Sequence, residues 1–207
     1  MKQTISFILA LVFSCTLHAQ SRAIFNRISV DDGLGLASNR VYCLHQDSKG
    51  YIWVGTANGI QRFDGNKFIR FESNIPMDAV TQIVEDKKGR LWLNFVSRRE
   101  FGIYDPKNYQ YTKVTLEASK EIPVRSEYKI WKDHNNDIFL TAQGYGIFKY
   151  DEKKNSFTED SPFRLPAGWK PTLRVFEDKI MDRLYVPCYD SGLAIYHYKS
   201  KEIWTRK

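Results

Sequence analysis

Residues able to do chemistry are present in this chain, but their spacing assembles no reaction centre. Asp31, Asp32, Glu72, Glu100 and Asp190 could act as general acids or bases. Glycoside hydrolysis needs two carboxylates converging on one bond, and no spacing singles out a pair. His18, His45, His134 and His197 lack the spacing of metal ligands. The Gly33-Leu34-Gly35 step is not set between a strand and a helix, so it makes no phosphate loop. No serine is patterned as the nucleophile of a triad. The sequence therefore predicts no catalytic residue, no metal and no cofactor. Binding chemistry is better supplied, because aromatic rings can lie under a sugar while charged groups hold its rim. Arg98, Arg125, Tyr145, Trp169, Tyr189 and Asp190 are the candidate ligand-binding residues. Each is also compatible with a plain surface or packing role, which is the commoner one for such residues.

The elements that position them are repeats. The stretch Gln46 to Gly65, QDSKGYIWVGTANGIQRFDG, returns as EDKKGRLWLNFVSRREFGIYD from Glu85, KDHNNDIFLTAQGYGIFKYD from Lys132 and EDKIMDRLYVPCYDSGLAIYH from Glu177. The turn aspartates Asp47, Asp86, Asp133 and Asp178 step by 39, 47 and 45 residues, and the large residues Trp53, Trp92, Phe139 and Tyr185 step by 39, 47 and 46. A period in this range belongs to propeller blades or helical repeats. Apolar runs here are short and end in turn residues, which predicts strands.

Four strands fit the first copy: Val41 to Gln46, Tyr51 to Thr56, Ile60 to Phe63 and Lys67 to Phe71. Asp47-Ser48-Lys49-Gly50 pairs an Asp that can cap its own turn with a Gly that can take positive φ. Asp86 to Gly89 repeats this, Asn136 replaces the Gly in the third copy, and the fourth has one extra residue and an irregular loop. Asn58-Gly59 and Asp64-Gly65 favour tight hairpins. The first two strands of a copy are apolar on both faces, as in Val41, Cys43, Leu44, Ile52, Trp53 and Val54. A sheet wetted on one side would alternate; stacked blades bury both sides. The fold class is all-β, a β-propeller of four-stranded antiparallel blades, with the repeated aromatic as an inter-blade wedge.

The chain has 207 residues, and its 43% apolar content suffices for a sizeable core. The net charge is +7, but the basic residues are scattered, so no nucleic-acid surface is expected. Met1 to Gln20 reads as a secretory leader, with Lys2, an apolar run from Ile5 to Leu17, and cleavage after Ala19 or Gln20. The expected location is periplasmic, and no later segment is apolar for long enough to span a membrane. Val12 to Cys15 is a poor lipobox. Cys43 and Cys188 remain after the leader and are read as two buried free thiols, since a disulfide needs Cα atoms within about 7 Å.

Residues Gly33 to Gly65, above all LASNRVYCLHQD from Leu36 followed by GYIWVGTANGIQRFDG, resemble the two-component regulator propeller repeat. That repeat characterises the periplasmic sensor region of hybrid two-component systems, mainly in Bacteroidetes. The match is strong in the first copy and good in the second, where Glu100 stands for the glycine matching Gly59. It is weak in the third and fourth. Phe25 to Leu36 also resembles the usual lead into that region. The resemblance implies glycan sensing, seven-bladed rings and further modules: a second propeller, an immunoglobulin-like domain, a membrane helix, a histidine kinase, a receiver and a DNA-binding domain. None of those later modules is found in this sequence. The turn QDSKGYIW is similar to the Asp-box of propeller glycosidases, but Asp47 precedes its Gly by three positions where the Asp-box keeps them two apart.

The expected organisation is a leader at 1–20 and a partial propeller at 21–207, with blades at 37–71, 79–114, 127–158 and 172–207 and an extra outer strand at 23–30. Loops opposite the Asp-x-x-Gly hairpins vary most, and variable loops on a rigid scaffold carry specificity; the six candidates come from that face. The expected function is an oligosaccharide-sensing segment of a two-component sensor. Alternatives are a secreted propeller enzyme acting on glycans and a truncated product without independent function. Expected partners are an oligosaccharide and either the remaining blades of the ring or a second copy of the propeller. An open arc would expose apolar faces, so poor solubility or association of the isolated chain is expected.

Overall fold

The computed structural model describes residues 26–71 and 74–206, so the expected leader lies outside the described residues. Four antiparallel sheets follow one another along the chain. The first contains β1 (Val41–Gln46), β2 (Ile52–Thr56), β3 (Gly59–Phe63) and β4 (Phe68–Ile69) in sequence order. The second contains β5 (Val80–Glu85), β6 (Leu91–Phe95), β7 (Glu100–Asp105) and β8 (Gln110–Lys113). The short β9 (Thr115–Leu116) then leaves this sheet and pairs in parallel with the outer strand of the third, which comprises β10 (Tyr128–Lys132), β11 (Ile138–Ala142), β12 (Gly146–Asp151) and β13 (Ser156–Thr158). In the fourth, β14 (Lys170–Pro171) and β15 (Phe176–Asp178) share one partner, β16 (Arg183–Tyr189), followed by β17 (Gly192–His197) and β18 (Glu202–Arg206). β1 lies against β5 and β5 against β10, so the first strands of successive sheets stand side by side as propeller blades do. Among the described residues the blades form an open series, not a closed ring.

The core lies between the blades. Trp53 packs with Leu91, Leu93 and Tyr104 in the seam of blades 1 and 2. Trp92 packs with Leu140, Phe148 and Phe157 in the next seam, and Phe139 with Leu184, Val186 and Tyr196 in the third. Trp53, Trp92 and Phe139 are thus the expected wedges, whereas Tyr185 in the fourth copy is half-buried and belongs to none of these clusters. Close approach at the first seam requires Gly55, where a Cβ would lie 2.5 Å from the Val80 carbonyl oxygen.

The first blade shows the apolar exposure expected of an open arc. Leu44 is 68% exposed and Val41 and Tyr42 are also exposed, whereas Ile83, which holds the position of Leu44 in blade 2, is buried. Apolarity on both faces of β1 is therefore not matched by burial on both. Among the described residues only one side of this blade has a neighbouring blade, and the burial of a sheet face is made by what stacks on it.

The turn aspartates do more than cap. Asp47 Oδ1 accepts hydrogen bonds from the backbone N–H groups of Lys49 and Tyr51, while its Oδ2 accepts from the Trp53 indole N–H at 2.8 Å. Asp86 repeats this with Lys88, Arg90 and Trp92, and Arg90 adds a guanidinium on the same Oδ2 at 2.7 Å. In blade 3 the indole is replaced by Phe139, which has no donor, and burial raises the Asp133 pKa. Gly50, Gly89, Asn136 and Asp182 all take the left-handed conformation that closes these hairpins, so Asn136 substitutes for Gly as its type allows.

The expected outer strand at 23–30 is corrected where it is described. Asn26 to Ser29 forms no strand, and Val30–Asp32 is a 3-10 turn. Ser29 donates its N–H to the Asp32 carboxylate, which curls the chain away from extended geometry. The following segment is pinned to blade 1: Gln61 accepts from Ala37 N–H and donates to the Gly35 carbonyl, and Phe68 N–H donates to the Leu34 carbonyl at 2.8 Å.

Candidate ligand-binding face

The antiparallel pairing puts the Asp-x-x-Gly hairpins at one end of every blade. The turns between the second and third strands, and the loops that lead to the next blade, gather at the other end. Five of the six candidates lie in these loops and Tyr189 ends β16 beside them, but the structure divides the set.

Tyr145 and Trp169 share one groove of about 640 Å³ between the start of β12 and the loop from β13 to β14. The Tyr145 ring stacks on Phe148 at 5.6 Å, and its hydroxyl donates to Glu159 at 2.7 Å and accepts from Lys120 N–H. Glu159 also accepts from the Ser119 N–H and hydroxyl. Burial alone would raise the Glu159 pKa; the hydrogen bonds from Tyr145 and Ser119 outweigh it and hold the carboxyl below its ordinary value. Trp169 is half-buried and rests against the apolar cluster of Phe139 and Phe163, while Arg164 stands at the groove's rim. The groove thus offers two aromatic rings, an anionic acceptor and a guanidinium.

Arg125 lies apart from these, in a cleft of about 770 Å³ over the inner ends of blades 2 to 4. Arg98 is tied to Asp78 at 3.5 Å and does not line either hollow; the cleft is lined instead by its neighbour Arg99. From this turn the sequence singles out Arg98 and not Arg99, because nothing in the two adjacent arginines tells which one faces the cleft. The turn is longer than in the first copy, and Arg99 takes φ 50. Tyr189 and Asp190 form the tight turn between β16 and β17, where Asp190 takes φ 53 and the Tyr189 hydroxyl meets the Gln143 side-chain amide. A larger hollow of about 1020 Å³ on the outer flank of blades 3 and 4 is bordered by charged turn side chains such as Lys149, Glu152 and Lys201, and holds none of the six candidates. Among the described residues no cluster of His, Cys, Asp or Glu could hold a metal ion, and no helix is long and apolar enough to cross a membrane. Cys43 and Cys188 are free thiols, Cys188 buried and Cys43 half-buried.

Four-stranded blades stacked through aromatic wedges, with their long loops collected on one face, define this protein as a β-propeller segment. Residues 35–58 match the family model described as two component regulator propeller, so the chain carries that repeat and the resemblance drawn from its first copy is borne out. The chain is 36% identical over 77 residues to histidine kinase P4 of Formosa agariphila, covering 37% of this chain and 5% of that protein. Its fold is similar to the extracellular domains of two hybrid two component systems from B. thetaiotaomicron. The identities are 20% and 19%, the TM-scores 0.64 and 0.63, and 88% of this chain aligns to 27% and 26% of theirs. It is also similar to virginiamycin B lyase from Staphylococcus aureus, at 20% identity and a TM-score of 0.58, covering 83% of this chain and 57% of that one. At these identities the solved structures establish the propeller fold. The chain spans one twentieth of the curated relative and about a quarter of the two-component extracellular domains.

Proposed function

We propose that this chain is the ligand-sensing propeller segment of a two-component sensor, exported to the periplasm, whose loop face binds an oligosaccharide and passes the signal to kinase modules outside this sequence. The observation that carries the binding step is the groove holding Tyr145 and Trp169 beside Glu159 and Arg164. Sugar rings bury their apolar faces on aromatic side chains while hydroxyls bond to carboxylates and guanidinium groups. Signalling follows if the bound state favours one arrangement of the attached modules over another. The matched propeller repeat and the histidine kinase relative support the signalling context and a non-catalytic role. Titration calorimetry against a panel of oligosaccharides tests this reading. At least one should bind, and Trp169→Ala and Tyr145→Ala should each weaken it by about tenfold or more. No heat from any member, or unchanged affinity in both variants, refutes it, and turnover of a glycan by the chain would favour a propeller enzyme.

A further inference from the structure

The cleft over the inner ends of blades 2 to 4 differs in chemistry from the aromatic groove. Its charged lining is Arg99, Arg125 and Lys129 against the single acid Glu127. The side chains of Arg125 and Lys129 have no hydrogen bond or ion pair among the described residues, although other basic side chains of this protein are paired, as Lys113 is with Glu100 and Lys149 with Asp137. Arg99 is held in place: its Nη2 donates to the Tyr128 hydroxyl at 2.8 Å and to the Pro123 carbonyl at 3.3 Å, and its guanidinium lies 5.3 Å from the Tyr128 ring centroid. Both bonds use one nitrogen, so Nε–H and the Nη1 hydrogens stay available on a guanidinium whose orientation is already fixed. Exposed Val96 and Val124 give the cleft apolar walls, and Ser97 and Ser126 add hydroxyls.

We propose that this cleft is an anion-selecting subsite, taking the carboxylate- or sulfate-bearing sugar of an acidic oligosaccharide. This rests on the reading of the loop face as an oligosaccharide site and names the class of sugar. A neutral sugar would desolvate three cations without compensation, whereas a carboxylate or sulfate returns charge-assisted hydrogen bonds to them. The apolar walls match a sugar ring, which a bare inorganic anion lacks.

The test titrates the full chain with uronate and sulfated oligosaccharides, each beside its carboxyl-reduced or desulfated counterpart, and with inorganic sulfate. The acidic member of at least one pair should bind about tenfold or more tightly than its neutral counterpart. Arg125→Gln and Lys129→Gln, which disturb no internal partner, should each cut that preference by about tenfold and flatten its salt dependence. Neutral sugars bound as well as acidic ones, or a preference unchanged in both variants, overturns the anionic subsite and leaves the oligosaccharide reading standing. Inorganic sulfate bound as tightly as the acidic sugar overturns it in favour of a bare anion site. Silence from every sugar overturns both.

Discussion

Replacing Trp53 by Phe separates what the repeated aromatic does as a wedge from what it does as a donor. The exchange removes a volume on the order of 40 Å³ from the first seam, which at about 24 cal/mol per Å³ costs about 1 kcal/mol. It also strips the partner from Asp47 Oδ2, whose hydrogen bond from the indole is 2.8 Å long; a hydrogen bond to a charged group contributes about 1.5–3 kcal/mol. The loss should total about 2.5–4 kcal/mol, with the two parts adding. Trp92→Phe is the internal control. Its ring is as deeply buried, but Asp86 Oδ2 keeps the Arg90 guanidinium at 2.7 Å, so the loss there should be about 1–2 kcal/mol. Urea unfolding followed by far-ultraviolet circular dichroism avoids the fluorescence of the residue removed. Double-mutant cycles should give a coupling of about 1.5–3 kcal/mol for Trp53→Phe with Asp47→Ala and below about 1 kcal/mol for Trp92→Phe with Asp86→Ala. Equal couplings, or none for Trp53 with Asp47, would refute the role assigned to the aspartate.

Two further outcomes follow from the first seam. Gly55→Ala should destabilise the chain by about 1–3 kcal/mol in the same urea assay, and Cys43→Ala should restore only part of this, because the new Cβ meets both the Cys43 sulfur and the Val80 carbonyl oxygen. A neutral effect of Gly55→Ala would contradict the close packing of blades 1 and 2. His45 lies in the same seam, its Nε2 3.9 Å from Glu85. Burial lowers its pKa below 6.5, Lys132 adds to this, and Glu85 and Asp47 oppose it without reversing the sign. The unfolded chain therefore takes up a proton first as pH falls through about 6.5, so stability is complete above that value and lost below it. His45→Gln should flatten the decline between about pH 7.5 and pH 5.5; an unchanged slope would remove His45 from the acid limb.

Much of this fold can be read from the residues themselves because turn chemistry is local. Asp47 and Gly50 specify their hairpin within four residues, and the same solution recurs with Asn136 in the left-handed position. Strand identity and the inter-blade role of Trp53, Trp92 and Phe139 follow from runs apolar on both faces. The site was less legible. Tyr145 and Trp169 lie apart in sequence and line one groove because the loop that leaves blade 3 folds back over the turn between β11 and β12. Arg98 and Arg99 are adjacent arginines in one turn; backbone conformation commits the first to Asp78 and sets the second over Tyr128.

By itself the sequence determined the repeat, the blade, its hairpins and its aromatic wedge, since each depends on residues a few positions apart. Only the tertiary structure decided which faces of those blades are buried and which loop residues share a cleft. Those properties belong to pairs of blades, and the stacking that creates them joins residues about forty positions apart whose types do not name their partners.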